Sequence, residues 1–243
     1  MRDEIGYNAM TTNNSVSKIL RELNSKLNTE EAENYKLLLC MAAGGLAPRG
    51  LMPIEKSRID AFRVVLQCLR DYQSQGVMWR GRPPLMTNDL LTSLQAESRR
   101  TRSIAKETDR YLLGCGGQIA DHFARDAELS NLVTENFPGV TATGIASYIY
   151  YEGEGHGLDP HVDTEVYTIN VVLMLEHFYV EHPSHLLVYD KDIEPTRVLL
   201  APGEMIILNA GSVVHAREDM GQDERVSILT VGFQELECVK NEQ

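Results

Sequence analysis

The chain has 243 residues, 43% of them hydrophobic and 24% charged, with a formal net charge of −12. That is the composition of a soluble globular protein with one sizeable core or two small ones, and it sets aside the disordered and membrane-spanning classes. The acidic balance repels a phosphate backbone, so neither nucleic acid nor membrane is an expected partner. No apolar run approaches the roughly 20 residues that cross a bilayer. The start, MRDEIGYNAMTTNNSVSK, lacks the apolar core of a secretory signal, so a cytoplasmic location is expected.

In chain order, residues 15 to 75 carry helical spacing. Val16, Ile19, Leu20, Leu23 and Leu27 follow the i, i+3, i+4, i+7 rule, and EEAENYKLLLCMAAGG and SRIDAFRVVLQCLRDYQ read the same way. The first of these last two stops at Gly44-Gly45. After the turn region RGRPPLMTND, a further helix is expected in GGQIADHFARDAELSNLVTENFPG, closed by Pro138-Gly139. From about residue 140 the texture changes to short β-branched or aromatic runs between Gly, Pro, Asp and Asn: TGIASYIYYEG, VYTINVVLMLE, SHLLVYD, TRVLLAP, GEMIILNA, GSVVHA and RVSILTVGF. The expected fold is α+β, a single domain over 1–243, with a mainly helical part (1–139) packed on an antiparallel jelly roll (140–236). Cys40, Cys68, Cys115 and Cys238 are far apart and form no C-x-x-C pair, which fits buried free thiols.

In GLDPHVDTEVYT, His161 and Asp163 are two apart on a strand and so share a face, presenting an imidazole and a carboxylate to one point. A third ligand must come from elsewhere, and His215 closes the late strand GSVVHA, where an antiparallel return can bring it back. Two histidines and a carboxylate on one octahedral face are the arrangement of non-heme iron(II) oxygenases. Ten residues after His215, Arg225 and Ser227 share a strand face. A guanidinium forks onto a carboxylate and a nearby hydroxyl donates to the same group, which makes a receptor for one end of a dicarboxylate.

With these residues in order, the chain resembles the iron(II)/2-oxoglutarate-dependent oxygenase family, whose pattern is H-x-D, H, R-x-S. YYEGEGHGLDPHVD is similar to the family's approach to its first ligand strand, and LAPGEMIILNAGSVVH to its approach to the second histidine. The resemblance covers about residues 144 to 234 and implies a double-stranded β-helix. It implies Fe(2+) held by His161, Asp163 and His215, with 2-oxoglutarate and O2 as cosubstrates and ascorbate as an assay reductant. Arg225 and Ser227 would take the far carboxylate of 2-oxoglutarate, and the reaction would hydroxylate an unactivated C–H bond, or desaturate or cyclise its substrate. The family's halogenases carry Gly or Ala where Asp163 stands, so oxygen transfer is expected here and chloride transfer is not.

Further site readings are less specific. Tyr150 either hydrogen-bonds the cosubstrate or packs on the core, and Tyr148 shares its face. Thr168 and Asn170 share a face expected to look into the barrel as cosubstrate contacts, while Ile169, Val171, Leu173 and Leu175 should pack against helices. His177, His182 and His185 are read as a solvated loop rather than a second metal cluster, and Arg99, Arg100 and Arg102 as a solvated face rather than an anion grip. Arg217 should share the His215 face; it either pairs with Glu218 or Asp219 or reaches a substrate carboxylate. The small, acidic chain without an appended module points to a small-molecule substrate such as a free amino acid or natural-product intermediate. A protein or peptide side-chain hydroxylase and a non-catalytic metal-binding jelly roll are the alternatives, and nothing in the sequence sets the oligomeric state.

Overall fold

A strand flanked by packed layers on both faces is apolar throughout, and INVVLMLEHF is such a segment over its run VVLML. In a computed structural model, which describes residues 26–28, 76–108, 110–161, 163, 168–189, 195–211 and 213–236, it forms the long strand of a large antiparallel sheet. The described elements run β1 (Val77–Gly81), α1 (Asn88–Arg102), β2 (Lys106–Glu107), β3 (Leu112–Cys115), α2 (Gln118–Phe123), α3 (Ala127–Asn136), β4 (Val140–Glu152) and β5 (Leu158–His161). They continue as β6 (Ile169–Phe178), β7 (Leu186–Tyr189), β8 (Thr196–Val198), β9 (Met205–Leu208), β10 (Val214–Arg217) and β11 (Arg225–Glu235). Seven strands pair in the order β1-β9-β6-β11-β4-β3-β2, and four in the order β5-β10-β7-β8.

Two large cores and a small third cluster of Leu187, Tyr189, Val214 and Ala216 arise from the alternation of side chains along these strands. Val172, Met174, Ile206, Leu208, Val226 and Ile228 of the large sheet meet Leu186, Val188 and Val198 of the small one. On the outer face of the large sheet, Ile169, Val171, Leu173 and Leu175 of β6 pack with Leu229 and Val231 against Leu94, Phe123, Leu129 and Val133 of the helices. The apolar face expected for β6 therefore does bury against helices.

The expectation of a helical part through residue 139 needs correction. The helices read over 15 to 75 lie outside the described residues. Within 76–139, three strands join the large sheet, with β1 closing one edge on β9 and β3 extending the other from β4. The single helix expected over 116–139 is two, because Asp126 accepts from the backbone N–H groups of Glu128 (2.7 Å) and Leu129 (3.2 Å) and caps a new helix. Helix α1 had no sequence reading of its own; Thr87 caps it by accepting from the Leu90 N–H at 3.2 Å, and Leu91 and Leu94 dock it. Its Glu97 is 7% exposed and accepts from the N–H groups of Ile119 and Ala120 and from the Tyr148 hydroxyl, which ties α1 to the start of α2 and to β4. No described helix is long and apolar enough to cross a membrane.

Candidate metal centre and a buried arginine beside it

Strands β5 and β10 pair antiparallel, with His161 directly opposite His215. Asp163 lies just beyond β5, its N–H donating to the Ala210 carbonyl at 2.8 Å. The two imidazole centroids lie 4.3 Å apart, and Asp163 Oδ1 is 3.3 Å from His161 Nε2 and 3.8 Å from His215 Nε2. One ligand atom from each residue fits within a 4.8 Å set. Donors held at about 2.1 Å on adjacent positions of one metal sit about 3 Å apart, and the His161–Asp163 pair is already near that spacing.

The surroundings prepare each ligand. The Nδ1 atoms of His161 and His215 face the Asp159 and Val213 carbonyls at 2.8 and 3.2 Å, an arrangement that puts the proton on Nδ1 and leaves the Nε2 lone pair for a metal. Burial, with His161 alongside, pushes the His215 imidazole down to about 4, so it is neutral at neutral pH. Burial pushes the Asp163 carboxyl up, but His215, His161 and the Asn170 amide outweigh it and hold the group below the usual carboxylate range. Asn170 Nδ2 donates to Asp163 Oδ2 at 3.1 Å, leaving Oδ1 to face the histidines. Two imidazoles with their Nε2 atoms turned toward one oriented carboxylate are a donor set that fits iron(II).

Two residues along β10 from His215, on the same inward face, lies Arg217, 5% exposed. Its Nη2 donates to the Ser184 carbonyl and hydroxyl at 3.2 and 2.9 Å, Nε has no partner among the described residues, and Cζ stands 5.6 Å from the Tyr151 ring centroid. The expected pairing with Glu218 or Asp219 does not form, since Glu218 holds His185 and Arg197 while Asp219 holds Arg110. Glu224, 2% exposed, is satisfied by the His177 ring, the Ser184 N–H and hydroxyl, and the Gly221 N–H. This buried guanidinium hydrogen-bonds only neutral acceptors among the described residues, with Glu224 and Glu218 near enough to favour its charge. Burial raises the Tyr151 and Tyr111 pKa values, and the Asp163 charge adds to both; the two ring centroids lie 6.0 Å apart, with Tyr151 against Arg217.

The remaining sequence expectations divide. Asn170 does look inward, but it holds Asp163. Thr168, 0% exposed, is held by backbone bonds to Phe233 and Gly211 at the start of β6. Arg225 and Ser227 do not join the triad. They pair with Glu152 and Tyr150 on β4 and share the outer face with Leu229, whereas Val226 and Ile228 point inward. Tyr150 is also on the outer face, its hydroxyl donating to the Ser98 carbonyl of α1 at 2.7 Å. These three residues therefore lie across the sheet from His161, Asp163 and His215. His177 belongs to β6 and is buried on Glu224, His185 pairs with Glu218, and His182 is exposed, so the three do not form a metal cluster. Arg99 and Arg102 pair with Glu176 and Glu152 and are not simply solvated. The i+2 relation to His215 was the signal for Arg217, and the neighbouring acids masked it.

No protein-family model and no curated sequence matches the chain. Among solved structures, a Pseudomonas putida prolyl-4-hydroxylase is similar with a TM-score of 0.53 at 17% identity, over 70% of this chain and 98% of that one. The non-heme alpha-ketoglutarate-dependent epimerase SnoN from nogalamycin biosynthesis gives 0.52 at 13% identity, over 63% and 74% of the two chains. EctD from S. alaskensis gives 0.52 at 12% identity, over 79% and 81%. The chain thus has the double-stranded β-helix fold of the iron(II)/2-oxoglutarate-dependent oxygenases.

Proposed function

We propose that the chain is an iron(II)- and 2-oxoglutarate-dependent oxygenase that hydroxylates a C–H bond of a small molecule, with His161, Asp163 and His215 as the metal ligands. The observation that carries this reading is the convergence of the three donors beside a buried arginine that shares the His215 strand face and makes no ion pair among the described residues. Bound iron(II), with 2-oxoglutarate and dioxygen, supplies the oxidation: R–H, 2-oxoglutarate and O2 give R–OH, succinate and CO2.

The residues of this chain perform the binding and positioning. The far carboxylate of 2-oxoglutarate goes to Arg217 rather than to Arg225 and Ser227. Two residues along a strand span about 7 Å, which suits a five-carbon diacid reaching from the triad to the guanidinium. Ser184 orients that guanidinium, Asn170 orients Asp163, and the Tyr111 and Tyr151 rings exclude water from the space between. A small-molecule substrate agrees with SnoN, which has been solved with Fe3+, alpha ketoglutarate and nogalamycin RO. A screen of amino acids and small metabolites for substrate-stimulated succinate release tests the reading. Release that stays at background with every candidate, despite tight metal binding, favours a non-catalytic metal-binding protein.

A further inference from the structure

On the outer face of the large sheet, beside α1, lies a pocket of about 360 Å³. Its walls carry the guanidinium groups of Arg99, Arg102 and Arg225 and the carboxylates of Glu152 and Glu176. Arg99 bonds Glu176, and Arg102 grips Glu152 through two bonds of 2.9 and 2.6 Å. Arg225 has no ion pair among the described residues, and its Cζ lies 5.9 Å from the ring centroid of Phe178, which is 56% exposed. Ser227 lines the same pocket at 7% exposed, with its hydroxyl oxygen lacking any hydrogen-bond partner among the described residues. In a chain of net charge −12, three cations against two carboxylates leave this spot locally positive.

The backbone builds the pocket actively. Between Ser227 and Ile228 the β6–β11 register shifts, with Ser227 opposite Glu176 and Ile228 opposite Met174, so Leu175 is an extra residue on β6. That bulge reverses the facing of the last three residues of β6: Glu176 and Phe178 turn outward into the pocket, and His177 turns inward to Glu224. An unbroken strand would have placed Glu176 and Phe178 inside the barrel.

We propose that this pocket binds a small monocarboxylate with a flat apolar body, the carboxylate on Arg225 and Ser227 and the body against Phe178. A guanidinium fork beside a neutral hydroxyl donor matches a planar carboxylate. Glu152 and Glu176 at the walls oppose a second negative charge, which disfavours a phosphate or a dicarboxylate. The R-x-S pair thus serves a ligand other than the cosubstrate, on the far side of the sheet from the metal.

The test is a titration of the full apo chain with benzoate, monitored by NMR, with inorganic phosphate and acetate as comparison ligands. Saturable benzoate binding is expected, tighter than for either comparison ligand. Arg225→Gln should weaken it about tenfold or more, and Ser227→Ala by a smaller factor. Asp163→Asn should leave it unchanged, because the metal centre takes no part. Absence of saturable binding overturns the proposal, as do benzoate binding that Arg225→Gln leaves intact, binding lost in Asp163→Asn, or phosphate binding as tightly as benzoate. Arg225 is solvent-exposed, so its variant folds, and an unchanged thermal melt verifies this. The oxygenase reading stands or falls separately, on metal and 2-oxoglutarate binding.

Discussion

Two arginines compete for the far carboxylate of 2-oxoglutarate, and replacing each in turn separates them. Arg217→Met removes a buried cation while keeping most of its apolar volume. Glu224 is not stranded by the change, because it keeps its bonds from His177, Ser184 and Gly221. What is lost within the protein is the pair of bonds to Ser184 and the guanidinium's contact with the Tyr151 ring, a cost of about 1–3 kcal/mol in stability, which a domain of ordinary stability tolerates. What is lost to the cosubstrate is a buried, charge-assisted contact of about 2–3 kcal/mol, so affinity should fall about 30- to 150-fold. Arg225→Gln, on the opposite face of the sheet, should change that affinity less than about threefold, the scale of a screened surface charge. Calorimetric titration of 2-oxoglutarate into the metal-loaded variants measures both. A large loss with Arg225→Gln and none with Arg217→Met would refute the assignment and return the cosubstrate to the R-x-S pair.

Other perturbations read other parts of the structure. Burial pushes the Glu97 carboxyl up, but the Ile119 and Ala120 N–H groups and the Tyr148 hydroxyl outweigh it and leave the pKa below the usual 4.5. The stability this group contributes is complete above the unfolded value and is lost as pH falls through the folded one. Glu97→Gln should therefore cost about 1–3 kcal/mol at pH 7 in urea unfolding and flatten the decline below about pH 4.5; a variant with the parental acid profile contradicts this. A methyl group at Gly211 would sit 2.9 Å from Thr168 Cγ2 and 3.0 Å from its backbone Cα, so Gly211→Ala must displace the turn leading to β10. It should cost about 1–3 kcal/mol and weaken metal binding, and a variant with parental Tm and metal affinity contradicts the tight packing of Gly211 on Thr168. Asn170→Ala frees Asp163 Oδ2 and should lower iron(II) affinity about 10- to 100-fold in a chelator competition; unchanged affinity would show that Asn170 does not orient the ligand.

The convergence of His161, Asp163 and His215 was legible because its geometry is local. His161 and Asp163 need only the two-residue repeat of a strand, and His215 needs only one antiparallel return. The alternation of β6 was equally plain, since Ile169, Val171, Leu173 and Leu175 had to cover a helical layer. The outward facing of Arg225 was not legible because it depends on how the chain crosses the turn at 218–224, where Asp223 adopts a φ of 61°, and on register against β4 and β6. A one-residue difference there moves every side chain of the strand to the other face. The bulge at Leu175 leaves no mark in INVVLMLEHF, so the opposite fates of Glu176 and His177 could not be read from it. Strands β1 and β3 were missed for a related reason: five and four residues with little alternation gain their strand character from the sheet edges they complete. The helix carrying Glu97 was obscured by the charged run Arg99, Arg100 and Arg102, which lies in its last turn and suits the negative end of its dipole.

Iron(II) titrated anaerobically into the apo-protein, and 2-oxoglutarate added after it, read the proposed centre most directly. One equivalent of iron should bind, 2-oxoglutarate should then produce a visible metal-to-ligand charge-transfer band, and Asp163→Ala should lose both the affinity and the band. An Asp163→Ala protein that keeps them, or a parent protein that binds iron(II) yet shows no band with 2-oxoglutarate, would contradict the assignment of His161, Asp163 and His215 as the site of the reaction.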